Sequence, residues 1–205
     1  MFKRLILVFT AVMVFVNLYS QENTPAGSIL SKTIGMISNA KGVEAGFTIY
    51  NSGYSGKGEI KCMGDKFNVR LPDVEVWYNG KDLYTYNERT SETTVVTPTA
   101  EELSESNPLA YVTGAAKNYN VSFSTVKKAG KNVLELLPKG KGDVKRITIT
   151  LRKSDNVPEK IVVEPTNGNP VTADIHTFRT GVNLSAKDFE YPKSKYPKAE
   201  LIDLR

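Results

Sequence analysis

From Val43 to Thr177 apolar residues fall on alternate positions, and turn signals interrupt them at short intervals. Ala45, Phe47 and Ile49 alternate with polar neighbours. Ile60 and Cys62 share one face of the next segment, and Phe67, Val69 and Leu71 share one face of the segment after it. Val74, Val76 and Tyr78 follow, then Leu83, Tyr84 and Tyr86, then Glu92–Val96. A period of two specifies strands with one buried face. Asn51–Gly58 reads as a hairpin loop, and Gly64-Asp65 and Pro72-Asp73 as turns. Asn79-Gly80 predicts a two-residue type I′ hairpin, which needs positive φ at both central residues. Neighbouring strands joined this way make an antiparallel meander.

Two short helices are predicted to interrupt it. Thr97 or Thr99 caps the first, and Thr99 with Glu102 would form a capping box. Asn107-Pro108 opens the second with a cap residue and a proline at the first position. Leu103, Leu109, Val112 and Ala116 give a narrow apolar side. Helices this short are unstable alone and need an apolar surface to dock on. Strands then resume through Tyr119, Val121 and Phe123, Val133–Leu137, Ile147–Leu151, Pro158–Val163 and Val171–Thr177. The Pro- and Lys-rich tail from Asp188 to Arg205 offers Phe189 and Tyr191 as anchors on the sheet edge. Ten or eleven strands result, a number at which open sheets curl, split or close.

Before the meander, Thr24-Pro25 caps and starts a helix on which Ile29, Leu30, Ile34 and Ile37 recur at helical spacing; Asn39–Gly42 ends it. Residues 1–20 read as a secretory signal peptide. Lys3 and Arg4 precede an apolar stretch from Leu5 to Val16, and cleavage is expected near Ser20–Gln21. No Cys follows that stretch, so no bacterial lipid-attachment box is present. Residues 21–205 show no repeat or linker and are expected to fold as one domain. Removing residues 1–20 deletes Lys3 and Arg4 and no acid, leaving 25 basic against 22 acidic residues, or +3. Both signs are interspersed, which does not point to nucleic acid.

Catalytic signals are sparse. His176 is the single histidine and Cys62 the single cysteine, so neither a multi-histidine metal site nor an intramolecular disulfide can form. Cys62 reads as a buried strand residue. Asp174 and His176 share a predicted strand, and no Gly-x-Ser-x-Gly elbow accompanies them. Gly56-Lys-Gly58 and Gly140-Lys-Gly142 read as hairpin turns, since neither opens a helix after a strand. No catalytic residue, metal site or cofactor is expected. Trp77, Tyr78, Tyr84 and Tyr86 are read as cross-strand packing, with sugar binding by exposed aromatics as an alternative that no polar constellation accompanies. Three modest helices must cover the apolar face of a large sheet. A loose fit would leave a cavity suited to acyl chains; a close fit would leave a filled core. Both remain open at this point.

The run Val76-Trp-Tyr-Asn-Gly-Lys-Asp-Leu-Tyr-Thr-Tyr-Asn87, its Thr/Val strand, and the later Asn107-Pro-Leu-Ala resemble the periplasmic outer-membrane lipoprotein carrier (LolA) family. The N-terminal helix, Gly58-Glu-Ile and Asp188-Phe-Glu-Tyr extend the likeness over most of the chain after residue 20. Cleavage before Gln and the Lys-rich character look like a Bacteroidetes-type member. The resemblance implies a mainly β fold: an incomplete, half-open antiparallel barrel of about eleven strands. The N-terminal helix and the two central helices would cover its concave face as a lid. It implies a monomeric carrier that takes triacylated lipoproteins from an inner-membrane lipoprotein-releasing transporter to an outer-membrane acceptor, with no nucleic-acid partner. The expected cavity lining is Leu30, Ile34, Phe47, Phe67, Val69, Leu71, Leu103 and Val112. A periplasmic lipid-sensing or regulatory module on the same fold is the alternative. One departure stands out: where better-known members carry an Arg that holds the lid helices, this chain has Gly64, flanked by Lys61 and Lys66.

Overall fold

In the computed structural model, the described residues are 24–98 and 119–205. Helix α1 spans Pro25–Ser38. It starts where the sequence predicts, because the Thr24 hydroxyl accepts the Gly27 N–H at 3.0 Å and Pro25 takes the first helical position. Leu30, Thr33, Ile34 and Ile37 form its buried side.

Six strands follow: β1 (Val43–Asn51), β2 (Tyr54–Met63), β3 (Lys66–Arg70), β4 (Val74–Tyr78), β5 (Leu83–Asn87) and β6 (Glu92–Val96). Five more come after the central segment: β7 (Tyr119–Phe123), β8 (Lys131–Pro138), β9 (Val144–Arg152), β10 (Pro158–Pro165) and β11 (Val171–Thr180). Short 3-10 turns at Ala186–Phe189 and Lys193–Lys195 lead to β12 (Glu200–Asp203). All twelve strands lie in one sheet, in the order β12-β6-β5-β4-β3-β2-β1-β11-β10-β9-β8-β7. The two meanders join where β1 pairs antiparallel with β11.

The expected mainly β, incompletely closed architecture holds in part. Among the described residues the sheet has twelve strands rather than about eleven, and it is an open sheet with β12 and β7 as its outer strands. The extra strand comes from the tail, and β12 pairs parallel with β6 while every other pairing is antiparallel. Among the described residues α1 is the single α-helix. The two expected central helices fall almost entirely on residues 99–118, outside the described residues, as do Leu103 and Val112.

Two turns also differ from expectation. Asn51–Gly58 is not a loop: β1 and β2 pair continuously to Asn51↔Tyr54 around a two-residue turn at Ser52-Gly53, with Gly53 at φ +86°. Gly56 and Gly58 are strand residues whose missing side chains make room for aromatic rings. A Cβ on Gly58 would lie 2.2 Å from the Phe47 ring, and one on Gly56 would lie 2.7 Å from the Tyr54 hydroxyl. Asn79-Gly80 sits in a four-residue loop, since Tyr78 pairs with Leu83. The Asn79 side-chain oxygen accepts the N–H groups of Lys81 and Asp82 at 3.0 and 2.9 Å, an Asx turn in which Gly80 alone takes positive φ.

Alternation gives the sheet two unlike faces. The face under α1 carries Val43, Ala45, Phe47 and Ile49 of β1, Ile60 and Cys62 of β2, and Phe67 and Val69 of β3. It continues through Val74, Val76 and Tyr78 of β4 and Leu134, Ile147, Ile149, Leu151 and Ile161 of the second meander. The other face of β8–β11 and β1 carries ion pairs, including Arg146–Glu164 at 2.8 Å, Lys160–Asp174 at 2.7 Å and Arg179–Glu44 at 2.6 Å.

Candidate functional site

Six of the eight predicted lining residues lie among the described residues, and all six belong to one buried cluster. Leu30 and Ile34 enter it from α1, Phe47 from β1, Phe67 and Val69 from β3, and Leu71 from the turn after β3. The sequence signal was the alternation itself: antiparallel register keeps Phe47, Gly58 and, through Ile60, Val69 on one face. Phe67 stacks on Tyr78 with ring centroids 5.5 Å apart, so Tyr78 faces the opposite way from the other aromatics of its hairpin. The two buried charged side chains among the described residues, Glu75 and Asp82, do not belong to this cluster: Glu75 points to the opposite face of the sheet and Asp82 sits in the β4–β5 loop. Burial pushes the Cys62 thiol far above its ordinary range, which keeps it protonated and unreactive. Such a surface suits hydrocarbon better than a polar metabolite.

Thr33 ties the helix down beside this cluster. It is fully buried, and its hydroxyl lies 3.1 Å from the Asn156 carbonyl in the β9–β10 turn and 3.2 Å from the Ile29 carbonyl. Gly64 occupies the β2–β3 turn at φ +63°. Its neighbour Lys61 forms an ion pair with Asp188 at 3.5 Å on the opposite side of the sheet.

The polar residues near β11 are each engaged separately. His176 Nε2 lies 2.8 Å from the Thr48 hydroxyl. Asp174 is bound by Lys160 and by the Tyr50 hydroxyl. Burial alone would raise its pKa, but the hydrogen bonds from Lys160 and Tyr50 outweigh that and hold the carboxyl below its ordinary value. Asp174 and His176 thus have different partners and form no relay. Among the described residues no group of three or more His, Cys, Asp or Glu is placed to hold a metal ion.

The opposite face of β3–β6 carries a feature that alternation alone did not reveal. Trp77, Tyr84, Tyr86 and Val95 face away from α1, and the tail crosses over them. Tyr191 stacks on Tyr84 at 5.3 Å and meets Trp77 edge-on at 5.4 Å; Tyr196 lies 4.0 Å from Tyr86 and 5.8 Å from Trp77. Phe189 is fully buried. The expectation that Phe189 and Tyr191 anchor the tail on the sheet edge is therefore corrected: they sit on its broad outer face, and β12 makes the edge. At the centre, the Glu75 carboxylate takes Arg70 at 3.0 Å and Asn68 at 3.3 Å on one oxygen. Its other oxygen takes Tyr196 at 2.7 Å and Lys195 at 3.0 Å. Burial pushes the Glu75 pKa up, and the hydrogen bonds from Arg70, Tyr196 and Lys195 more than offset it, leaving the carboxyl below its ordinary value.

The family model described as "Outer membrane lipoprotein carrier protein LolA" matches residues 16–165. The chain belongs to this family. Solved structures resemble the chain at low identity, and the first of those that follow shares its fold. An uncharacterized conserved protein from Thermus thermophilus superposes with a TM-score of 0.59 at 13% identity, covering 88% of this chain and 99% of that one. A LolA superfamily protein from Nitrosomonas europaea gives 0.41 at 12% identity, covering 82% and 98%. The MucA/MucB complex of Pseudomonas aeruginosa gives 0.44 at 11% identity, covering 82% and 61%. A search of curated protein sequences found no match. Among the described residues, no helix is long and apolar enough to cross a membrane.

Proposed function

We propose that this chain is a periplasmic carrier that binds the acyl chains of lipoproteins and ferries them from the inner to the outer membrane. The observation that carries this reading is the continuous apolar face under α1, running across the sheet from β4 to β7, in a member of the lipoprotein-carrier family. Each exposed methylene costs about 0.8 kcal/mol in water, so three acyl chains need continuous cover to cross an aqueous compartment. An apolar face covered by a docked helix can supply that cover while α1 competes with cargo for the same surface. The competition lowers net affinity and permits release to an acceptor.

In this reading residues 1–20 direct export and are removed, and residues 21–205 act as one carrier domain. Leu30, Ile34, Phe47, Phe67, Val69 and Leu71 contact the acyl chains, as do Leu103 and Val112 from outside the described residues. The donor is an inner-membrane lipoprotein-releasing transporter and the recipient an outer-membrane acceptor.

The test is release of a triacylated lipoprotein from energised inner-membrane vesicles. The reading expects a soluble one-to-one complex that appears only when this protein is added. Lipoprotein that stays wholly with the vesicles contradicts it.

A further inference from the structure

Strand β11 is ten residues long, but its two neighbours cover it unequally. On one side β1 pairs with it from Thr172 to Thr180. On the other, β10 matches only Val171–Asp174. Residues 175–180 therefore form a strand edge inside the sheet, with no backbone ladder on that side among the described residues. At the strand rise of about 3.3 Å per residue, the open edge is about 20 Å long.

Two local features create it. The register of β1 against β11 shifts between Gly46 and Phe47, because Gly46 faces Thr177 while Phe47 faces Ile175. His176 is thus an extra residue, a bulge, which increases the local twist of β11 just past the last residue paired with β10. The Gly46 N–H consequently donates to the Thr177 hydroxyl at 3.0 Å. Opposite, β10 begins with Pro158, which has no N–H to extend the ladder.

A cleft of about 380 Å³ lies beside this edge, lined from the start of β10 and from β11. Val157, Pro158, Ile175 and Phe178 line it together with the charged side chains of Arg152, Glu159 and Asp174, and His176 and Thr177 stand exposed. Ile175 and Phe178 also pack against the buried cluster under α1. The cleft therefore adjoins the apolar face assigned to acyl chains.

We infer that residues 175–180 and this cleft receive an extended polypeptide by strand addition: the segment that follows the acylated residue of the cargo lipoprotein. Backbone N–H and C=O groups left without a ladder among the described residues, repeating at strand spacing, are matched by another extended backbone, and the mixed polar and apolar lining of the cleft accommodates its side chains. The placement solves a geometric requirement of carrying a lipid-modified protein. The acyl chains lie in the interior while the polypeptide attached to them leaves through the gap, held by main-chain hydrogen bonds that suit cargo of many sequences. This inference rests on the carrier reading.

The probe is a triacylated lipopeptide whose acylated residue is followed by eight alternating valine and threonine residues. Controls are the same peptide without acyl chains and the lipopeptide with alternate backbone amides N-methylated. Amide hydrogen exchange is followed across the full chain. Bound lipopeptide is expected to slow exchange at residues 175–180 at least fivefold, and N-methylation to abolish that protection while acyl uptake persists. Acyl uptake with no change at 175–180 overturns the inference and leaves the carrier reading standing. Absence of acyl uptake overturns both. Protection by the non-acylated peptide alone overturns the assignment to lipoprotein cargo.

Discussion

The Tyr196 hydroxyl donates to Glu75 at 2.7 Å, joining the tail to the start of β4 from the face opposite α1. Lys195 reaches the same carboxylate oxygen at 3.0 Å, while Arg70 and Asn68 hold the other. One buried carboxylate thereby fixes a segment more than a hundred residues away in sequence. The tail in turn covers Trp77, which is 3% exposed.

Replacing Tyr196 by Phe removes one hydrogen bond to a charged group and is expected to destabilise the protein by about 1.5 kcal/mol. Glu75→Ala leaves Arg70 and Lys195 without their shared partner and is expected to release the tail. Trp77 is the single tryptophan, so its emission should shift to the red in Glu75→Ala. Denaturant unfolding measures the Tyr196→Phe effect. Unchanged emission in Glu75→Ala would mean that the carboxylate does not hold the tail.

The same carboxylate makes tail docking sensitive to acid. The Glu75 pKa is lowered in the folded protein from an ordinary value of 4.5. The unfolded chain therefore takes up its proton more readily, and the stabilisation, complete above that ordinary value, is lost as pH falls through the folded value. Glu75→Gln should be less stable than the parent at pH 7 but lose less on acidification. Thermal melting of both proteins between pH 7 and pH 3 checks this, and parallel curves would contradict it.

The feature most legible in the sequence was the period. Alternation placed Phe47, Ile60, Phe67 and Val69 on one face, and Thr24-Pro25 marked the start of α1. Glycine was the misleading signal: Gly56 and Gly58 read as turn residues, yet they are there for the rings of Tyr54 and Phe47, a long-range packing demand invisible to local reading. The Asn79 loop looked like a two-residue hairpin because Asn-Gly is common to both, and the side-chain hydrogen bonds that select the longer loop are tertiary detail. β12 escaped because it pairs in parallel with a strand a hundred residues earlier, and its four residues have too little alternation to announce themselves. Trp77, Tyr84 and Tyr86 were visible as a group and Tyr191 as an anchor of the tail, but the stacking that joins them and the part of Tyr196 were not.

Gly58 provides a sharp packing test. A methyl group there would stand 2.2 Å from the Phe47 ring and 2.9 Å from the Arg70 carbonyl, so Phe47 and the backbone cannot both give way cheaply. Gly58→Ala should destabilise by about 1–3 kcal/mol, lowering Tm by roughly 2–12 °C. Gly140→Ala, where a Cβ meets nothing within 4 Å, serves as the control and should be near neutral. Equal melting temperatures for the two variants would contradict the packing described for β1 and β2.

Cys62 is 3% exposed, and burial raises its thiol pKa well beyond the ordinary range. It should resist iodoacetamide in the native protein at pH 8 and react fully in denaturant. Mass spectrometry of alkylated protein measures both. Rapid labelling of the native state would show that the apolar face opens to solvent far more often than its packing implies.

The central claim is that the apolar face under α1 carries lipoprotein acyl chains. The most direct measurement is native mass spectrometry of the protein isolated under gentle conditions from the periplasm of its host. The carrier account predicts a fraction with mass increased by one triacylated lipoprotein, reduced when Phe67 and Val69 are replaced together by smaller residues. A protein found only at its own mass, in cells with active lipoprotein sorting, would contradict it.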